Sequence, residues 1–181
     1  RPSARSRPGG TAARRMKVLG FAGWSGSGKT TLMIRLLPEL IGRGVSVSTI
    51  KHSHHGFRID RPGKDSYEHR AAGAQEVVIG SRERWALIRE LRGAPEVGLG
   101  GLIAKLAPVD LVLVEGFTDA GHDKIEAVRA AAKPSLHPSD PSVVAIAAGT
   151  PLPDASRPVL DLDDIPAIAD FVIAHCRLGA R

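Results

Sequence analysis

Residues 18–32 read Val18-Leu19-Gly20-Phe21-Ala22-Gly23-Trp24-Ser25-Gly26-Ser27-Gly28-Lys29-Thr30-Thr31-Leu32. A short apolar run leads into a glycine-rich turn, and the turn leads into a helical pattern. Gly23 to Thr30 matches G-x-x-x-x-G-K-[ST], the phosphate-binding loop. Glycines let the backbone curl until successive N–H groups converge on phosphate oxygens, and the following helix adds its positive dipole end. In that arrangement Lys29 reaches the β- and γ-phosphates of a purine nucleoside triphosphate, and the Thr30 hydroxyl is a ligand for Mg²⁺. Gly23, Ser25, Gly26, Ser27, Gly28, Lys29, Thr30 and Thr31 are therefore the candidate cofactor-binding residues.

Outward from the loop, short apolar strands alternate with helical stretches. This pattern predicts an α/β fold of the P-loop NTPase type, three layers around a mainly parallel sheet. Strands are expected at 18–22, 45–51, 76–79, 84–88, 109–114, 125–128 and 143–147. Helices are expected at 29–42, 65–73, 97–106 and 165–175, the third interrupted by glycines. In the first, Leu32, Leu36, Leu37 and Leu40 recur at helical spacing, Pro38 falls near the end, and Gly42 and Gly44 stop it. A P-loop also needs a carboxylate at the tip of a neighbouring strand to orient magnesium. Glu115, after the apolar run Leu111-Val112-Leu113-Val114, is that candidate, although an aspartate is more usual there. Thr30 and Glu115 form the expected metal pair. Asp110 begins the same strand and lies too far away to share the site.

The 181 residues suit one domain, expected over 16–181, and 43% hydrophobic content with near-neutral mean hydropathy suits a globular chain. No run approaches the roughly 18 apolar residues of a membrane span. Cys176 is the single cysteine, so no intramolecular disulfide forms, and a cytoplasmic location is expected. The net charge of +6 is unevenly placed. Arg1, Arg5, Arg7, Arg14 and Arg15 supply five of it with no acid among residues 1–15, leaving +1 for the rest. Residues 1–15 read as a disordered basic tail, with Met16 as the natural start of the folded part. The near-neutral remainder, with only 4% aromatics, argues against a nucleic-acid partner.

Lys51-His52-Ser53-His54-His55 and Asp60 to Tyr67 concentrate groups that handle anions or metals. Three histidines in four residues raise zinc, but neither cysteine partners nor an H-E-x-x-H helix is present. Two other readings remain open: an exposed polar loop, and a loop beside the γ-phosphate in which Lys51 and its neighbours meet an anionic second ligand. Lys29, Glu115 and Lys51 are the candidate catalytic residues.

Residues 22–32, 50–55 and 60–67 together resemble the MobB family of molybdopterin guanine dinucleotide biosynthesis adapters. Arg84-Trp85-Ala86-Leu87, Asp110 to Phe117 and Ala169-Asp170-Phe171-Val172 continue the likeness across most of 16–176. The resemblance implies a GTP-binding homodimer with weak GTPase activity. It also implies a MobA-type guanylyltransferase as partner, which this chain would assist in joining GMP to molybdopterin. Two departures matter. Thr118 stands where the family usually has lysine, and Gly149 stands where an acidic base-contacting group is expected. The N-K-x-D guanine signature is also absent, so the expected guanine preference comes from the resemblance alone. A small-molecule kinase is the competing reading, since Arg58, Arg61 and Asp65 could serve as lid and substrate groups.

Overall fold

A computed structural model describes residues 15–53, 56–129 and 135–179. The basic-tail expectation, apart from Arg15, and the reading of His54 and His55 lie outside the described residues. In chain order the elements are β1 (Lys17–Ala22), α1 (Lys29–Gly42), β2 (Val47–Lys51), α2 (Asp65–Ala71), β3 (Glu76–Gly80) and β4 (Trp85–Arg89). They continue with α3 (Leu99–Ile103), β5 (Leu111–Glu115), β6 (Lys124–Val128), β7 (Val143–Ala148), β8 (Val159–Asp161) and α4 (Ile165–Cys176). The chain packs as two compact units, residues 53–101 forming one and the segments on either side the other.

The larger unit holds a six-stranded sheet in the order β2-β5-β1-β6-β7-β8, every pairing parallel. Strand β8 is only three residues long, too short to leave a period in the sequence, and was not among the expected strands. The expected helix over 97–106 shrinks to five residues among glycines, which weaken helix formation. Alternation decides which face each residue serves. Leu19 and Phe21 of β1, Leu111 and Leu113 of β5, and Ile125 and Ala127 of β6 share one apolar cluster. Leu32, Leu36 and Leu40 of α1 and Ile168 and Val172 of α4 complete it. Helix α1 runs through Pro38 to Gly42, and the chain then turns at Gly44, whose φ is +83°.

The opposite face carries buried charge. Lys124 and Glu126 are 2% and 1% exposed, yet both belong to β6. An unpaired charge there would be costly, so each is tied to covering chain. Lys124 donates to Ala120 O at 2.7 Å and to Ser142 Oγ at 2.5 Å. Glu126 accepts from the backbone N–H groups of Leu136 and His137 at 2.7 and 3.0 Å. Gly20 makes room on β1: a Cβ there would lie 2.4 Å from His122 Nε2. At the foot of the sheet, Ser46 Oγ donates to Asp110 Oδ2 at 2.6 Å, which fixes Asp110 at the end of β5 away from Glu115, as the sequence indicated.

In the smaller unit β3 and β4 form an antiparallel pair, and α2 precedes them. Asp60, 8% exposed, accepts two hydrogen bonds from Arg70, which also donates to Glu90 Oε1 at 2.5 Å.

Leu36 is fully buried in the main cluster. Leu36→Ala should lower unfolding free energy by about 3 kcal/mol, the mid-range for a buried leucine. Urea unfolding would check it: the midpoint should fall while the slope stays unchanged.

Candidate functional site

Strand β1 ends at Ala22 and α1 begins at Lys29, so the six residues between them must reverse direction over the sheet edge. Two of these positions show why glycine is required. Gly23 has φ +133°, and a Cβ there would come within 2.6 Å of Ala127 O. Gly28 has φ +95°, and a Cβ would meet the Arg129 guanidinium at 3.2 Å. Both conformations belong to the region L side chains avoid. Gly28 also caps α1 without a side-chain hydrogen bond, and no acid occupies the first turn. No capping side chain therefore competes with an anion for the N–H groups at the start of α1.

A pocket of about 430 Å³ opens over this loop, lined by Ser25, Gly26, Gly28, Lys29, Thr30, Thr31, Lys51, Glu115 and Arg129. Lys29 arches across the loop, its Nζ donating to Gly23 O at 2.7 Å and Trp24 O at 2.9 Å. Thr30 Oγ1 donates to Glu115 Oε1 at 2.7 Å. Lys51 Nζ lies 3.4 Å from the same carboxylate oxygen. Register explains that meeting: Glu115 pairs with Phe21 on one side and with Lys51 on the other. Lys51 is thus the last residue of β2, held by the sheet, rather than a member of the loop that follows.

The structure brings together most of the residues singled out from sequence. Ser25, Gly26, Gly28, Lys29, Thr30, Thr31, Lys51 and Glu115 line one pocket, Gly23 supplies the turn, and Ser27 sits inside it. Among the described residues the buried Ser27 Oγ has no hydrogen-bond partner. Arg129 was missed. It follows β6 directly, and only the placement of β6 beside β1 brings it to the phosphate loop. Arg58, Arg61 and Asp65 belong to the other compact unit. Among the described residues no group of three His, Cys, Asp or Glu side chains could hold a metal ion; His54 and His55, two of the three histidines that raised zinc, lie outside them.

Next to the Glu-Gly-Phe stretch, Gly116 has φ +91°, and a Cβ would lie 2.7 Å from His52 Cβ. The Phe117 ring packs against His52 with centroids 4.5 Å apart. This small contact joins the residues that directly follow the ends of β2 and β5.

Charge favours a polyanion. Lys29, Lys51 and Arg129 face a single carboxylate, Glu115. Burial pushes the Lys29 ammonium below the ordinary lysine pKa; Glu115 opposes that shift, and Lys51 adds to it. A bound polyphosphate would oppose that shift, since nearby negative charge favours the ammonium. The donor set also fits a hard divalent cation, because the Thr30 hydroxyl and the Glu115 carboxylate are adjacent oxygen donors beside the phosphate loop.

Lys29→Ala should weaken nucleoside triphosphate binding about 100-fold, the loss of one or two charge-assisted contacts. Since Lys29 touches only loop carbonyls, stability should change by no more than about 0.5 kcal/mol. Isothermal titration alongside thermal melting checks both, and undiminished affinity would remove Lys29 from the site.

The family model described as "MobB: Molybdopterin guanine dinucleotide synthesis protein B" matches residues 18–149. The molybdopterin-guanine dinucleotide biosynthesis adapter protein of Escherichia coli K12 is 42% identical over 160 residues, covering 86% of this chain and 91% of the relative. The Haemophilus influenzae adapter is 43% identical over 157 residues and covers 86% of each. Among solved structures, a molybdopterin-guanine biosynthesis protein B superposes with a TM-score of 0.70 at 28% identity, covering 87% of this chain and 99% of that one. A MobB homologue from Bacillus stearothermophilus gives 0.70 at 25% identity, covering 91% of this chain and 100% of its own. With the phosphate loop, the parallel sheet and these matches in agreement, the chain belongs to the MobB family.

Proposed function

We propose that this chain is a GTP-binding adapter that assists a MobA-type guanylyltransferase in attaching GMP to molybdopterin, hydrolysing GTP only slowly by itself. The observation that carries the reading is the Thr30–Glu115 contact set beside a complete phosphate loop. The naming of its relatives as molybdopterin-guanine dinucleotide biosynthesis adapter proteins supports the biosynthetic role.

In this reading Gly23 to Thr31 hold the phosphates, Lys29 and Arg129 supply positive charge, and Thr30 and Glu115 hold Mg²⁺. Magnesium, when bound, neutralises charge on the terminal phosphates. Lys51 stands on the Glu115 side of the pocket, where it can contact a terminal phosphate or a second anion. Slow turnover follows from what the pocket lacks. Hydrolysis needs a group that positions water, and among the described residues the lining contains no glutamine or histidine. Its one carboxylate is engaged by Thr30 and Lys51. Gln75, the single glutamine, lies in the other compact unit, just before β3. The site can therefore hold a triphosphate better than it can cleave one, which suits an adapter.

A homodimer and a cytoplasmic location complete the proposal. One face of the β3–β4 pair presents Val78, Trp85 and Leu87, 66%, 70% and 40% exposed. Both strands are sheet edges, and an apolar face with open edges is suited to a second copy of the chain. Among the described residues no helix is long and apolar enough to cross a membrane.

Single-turnover GTP hydrolysis, with and without the guanylyltransferase, tests the proposal. The protein alone should turn over about once per minute or more slowly, in the range of unassisted GTPases. The partner should change nucleotide affinity or turnover, and Lys51→Ala should blunt that change. Turnover of tens per second by the isolated protein would contradict the adapter reading.

A further inference from the structure

We propose that the purine of the bound nucleotide lies in a second cavity, beyond the ends of β7 and β8, and that the Asp161 carboxylate reads guanine there. This rests on the GTP reading above and supplies what that reading lacks, a group able to tell guanine from adenine.

The cavity has a volume of about 230 Å³, and its lining includes Gly149, Thr150, Pro151, Val159 and Asp161. Its position follows from the sheet. With β1, β6, β7 and β8 adjacent and parallel, their C-terminal ends form one edge, the edge that carries the phosphate loop. Val128, Ala148 and Asp161 lie in register across it. Arg129, the next residue after Val128, is the last member of the phosphate pocket in that direction. The ends of β1 and β7 are two strand spacings apart, about 10 Å. A nucleotide whose phosphates sit over Lys29 and whose ribose passes Arg129 therefore brings its base to this cavity.

The lining suits a purine. Val159, 40% exposed, and Pro151 offer apolar surface to a ring face. Asp161 Oδ1 accepts the Asp163 N–H at 2.8 Å, which pins the carboxylate and keeps its second oxygen for a ligand. An ionised carboxylate only accepts hydrogen bonds. Guanine offers N1–H and a 2-amino group on one edge, both donors. Adenine offers an unprotonated N1 there, which a carboxylate repels. A site built around a specific hydrogen-bond donor discriminates strongly against a base that lacks it.

The sequence led to an expected acidic group at 149 and found glycine. The reason is steric: a Cβ on Gly149 would stand 3.1 Å from Arg129 O, a backbone atom that cannot swing away. The acid is carried instead by the neighbouring strand, at Asp161.

Competition binding against a fluorescent GTP analogue, with GTP, ATP and xanthosine triphosphate as competitors, tests this on wild type and Asp161→Asn. Asparagine keeps an acceptor for the Asp163 N–H but offers an amide donor to the ligand. Wild type should prefer GTP. The variant should bind GTP at least about 100-fold more weakly and gain affinity for xanthosine triphosphate, whose C2 carbonyl accepts from the amide. That gain also shows that the variant is folded. A variant with unchanged GTP affinity, or a wild type that binds GTP and ATP equally, would overturn the role of Asp161 while leaving the phosphate site standing. A wild type that binds no triphosphate would overturn the GTP reading beneath it.

Discussion

The hydrogen bond from Thr30 Oγ1 to Glu115 Oε1 is the contact on which the functional edge of this molecule depends. Thr30 is the second residue of α1 and Glu115 the last of β5, so the bond forms only if both elements start and stop where they do. The parallel pairing of Phe21 with Glu115 sets the height, and the shared burial of Leu19, Phe21, Leu111 and Leu113 sets the register. A one-residue slip of β5 would turn Glu115 to the other face of the sheet and put Val112 and Val114 where Leu111 and Leu113 pack, a mismatch between two buried faces. The ordinary requirement to bury leucines therefore also aims the carboxylate. Lys51 is brought to Glu115 in the same way, by the pairing of β2 with β5.

The other sheet face shows a different solution. Instead of apolar packing alone, Lys124 and Glu126 reach out of β6 to hold segments without regular structure. A buried charge left without partners would cost several kcal/mol, more than a hydrogen bond of this kind returns net. The arrangement thus specifies where those segments lie more than it adds stability. Because Arg129 directly follows β6, the strand that anchors this face also places a side chain in the pocket over the 23–28 loop.

What the sequence made legible follows from where the signals are local. The phosphate loop is a contiguous motif, and α1 carries four leucines at helical spacing, so both were readable. So was Glu115, because a fully apolar run leads to it. Strand order has no local signature, and without it Arg129 is one more basic residue after a strand. The reading of 16–181 as a single domain did not address the compact unit at 53–101, which has its own ties through Arg70. Strand β8 was invisible for its three-residue length, and with it Asp161 could not be set against Gly149.

The central claim is that this edge holds a nucleoside triphosphate together with Mg²⁺ through Lys29, Thr30 and Glu115. The most direct test is calorimetric titration of GTP into the protein with Mg²⁺ and with chelator, on wild type and on Glu115→Gln. The account predicts that Mg²⁺ strengthens GTP binding by wild type at least about tenfold, a gain of roughly 1.4 kcal/mol. It further predicts that Glu115→Gln loses most of that gain while retaining the weaker, metal-independent binding. GTP affinity indifferent to Mg²⁺ in wild type, or a full magnesium effect in the variant, would contradict it.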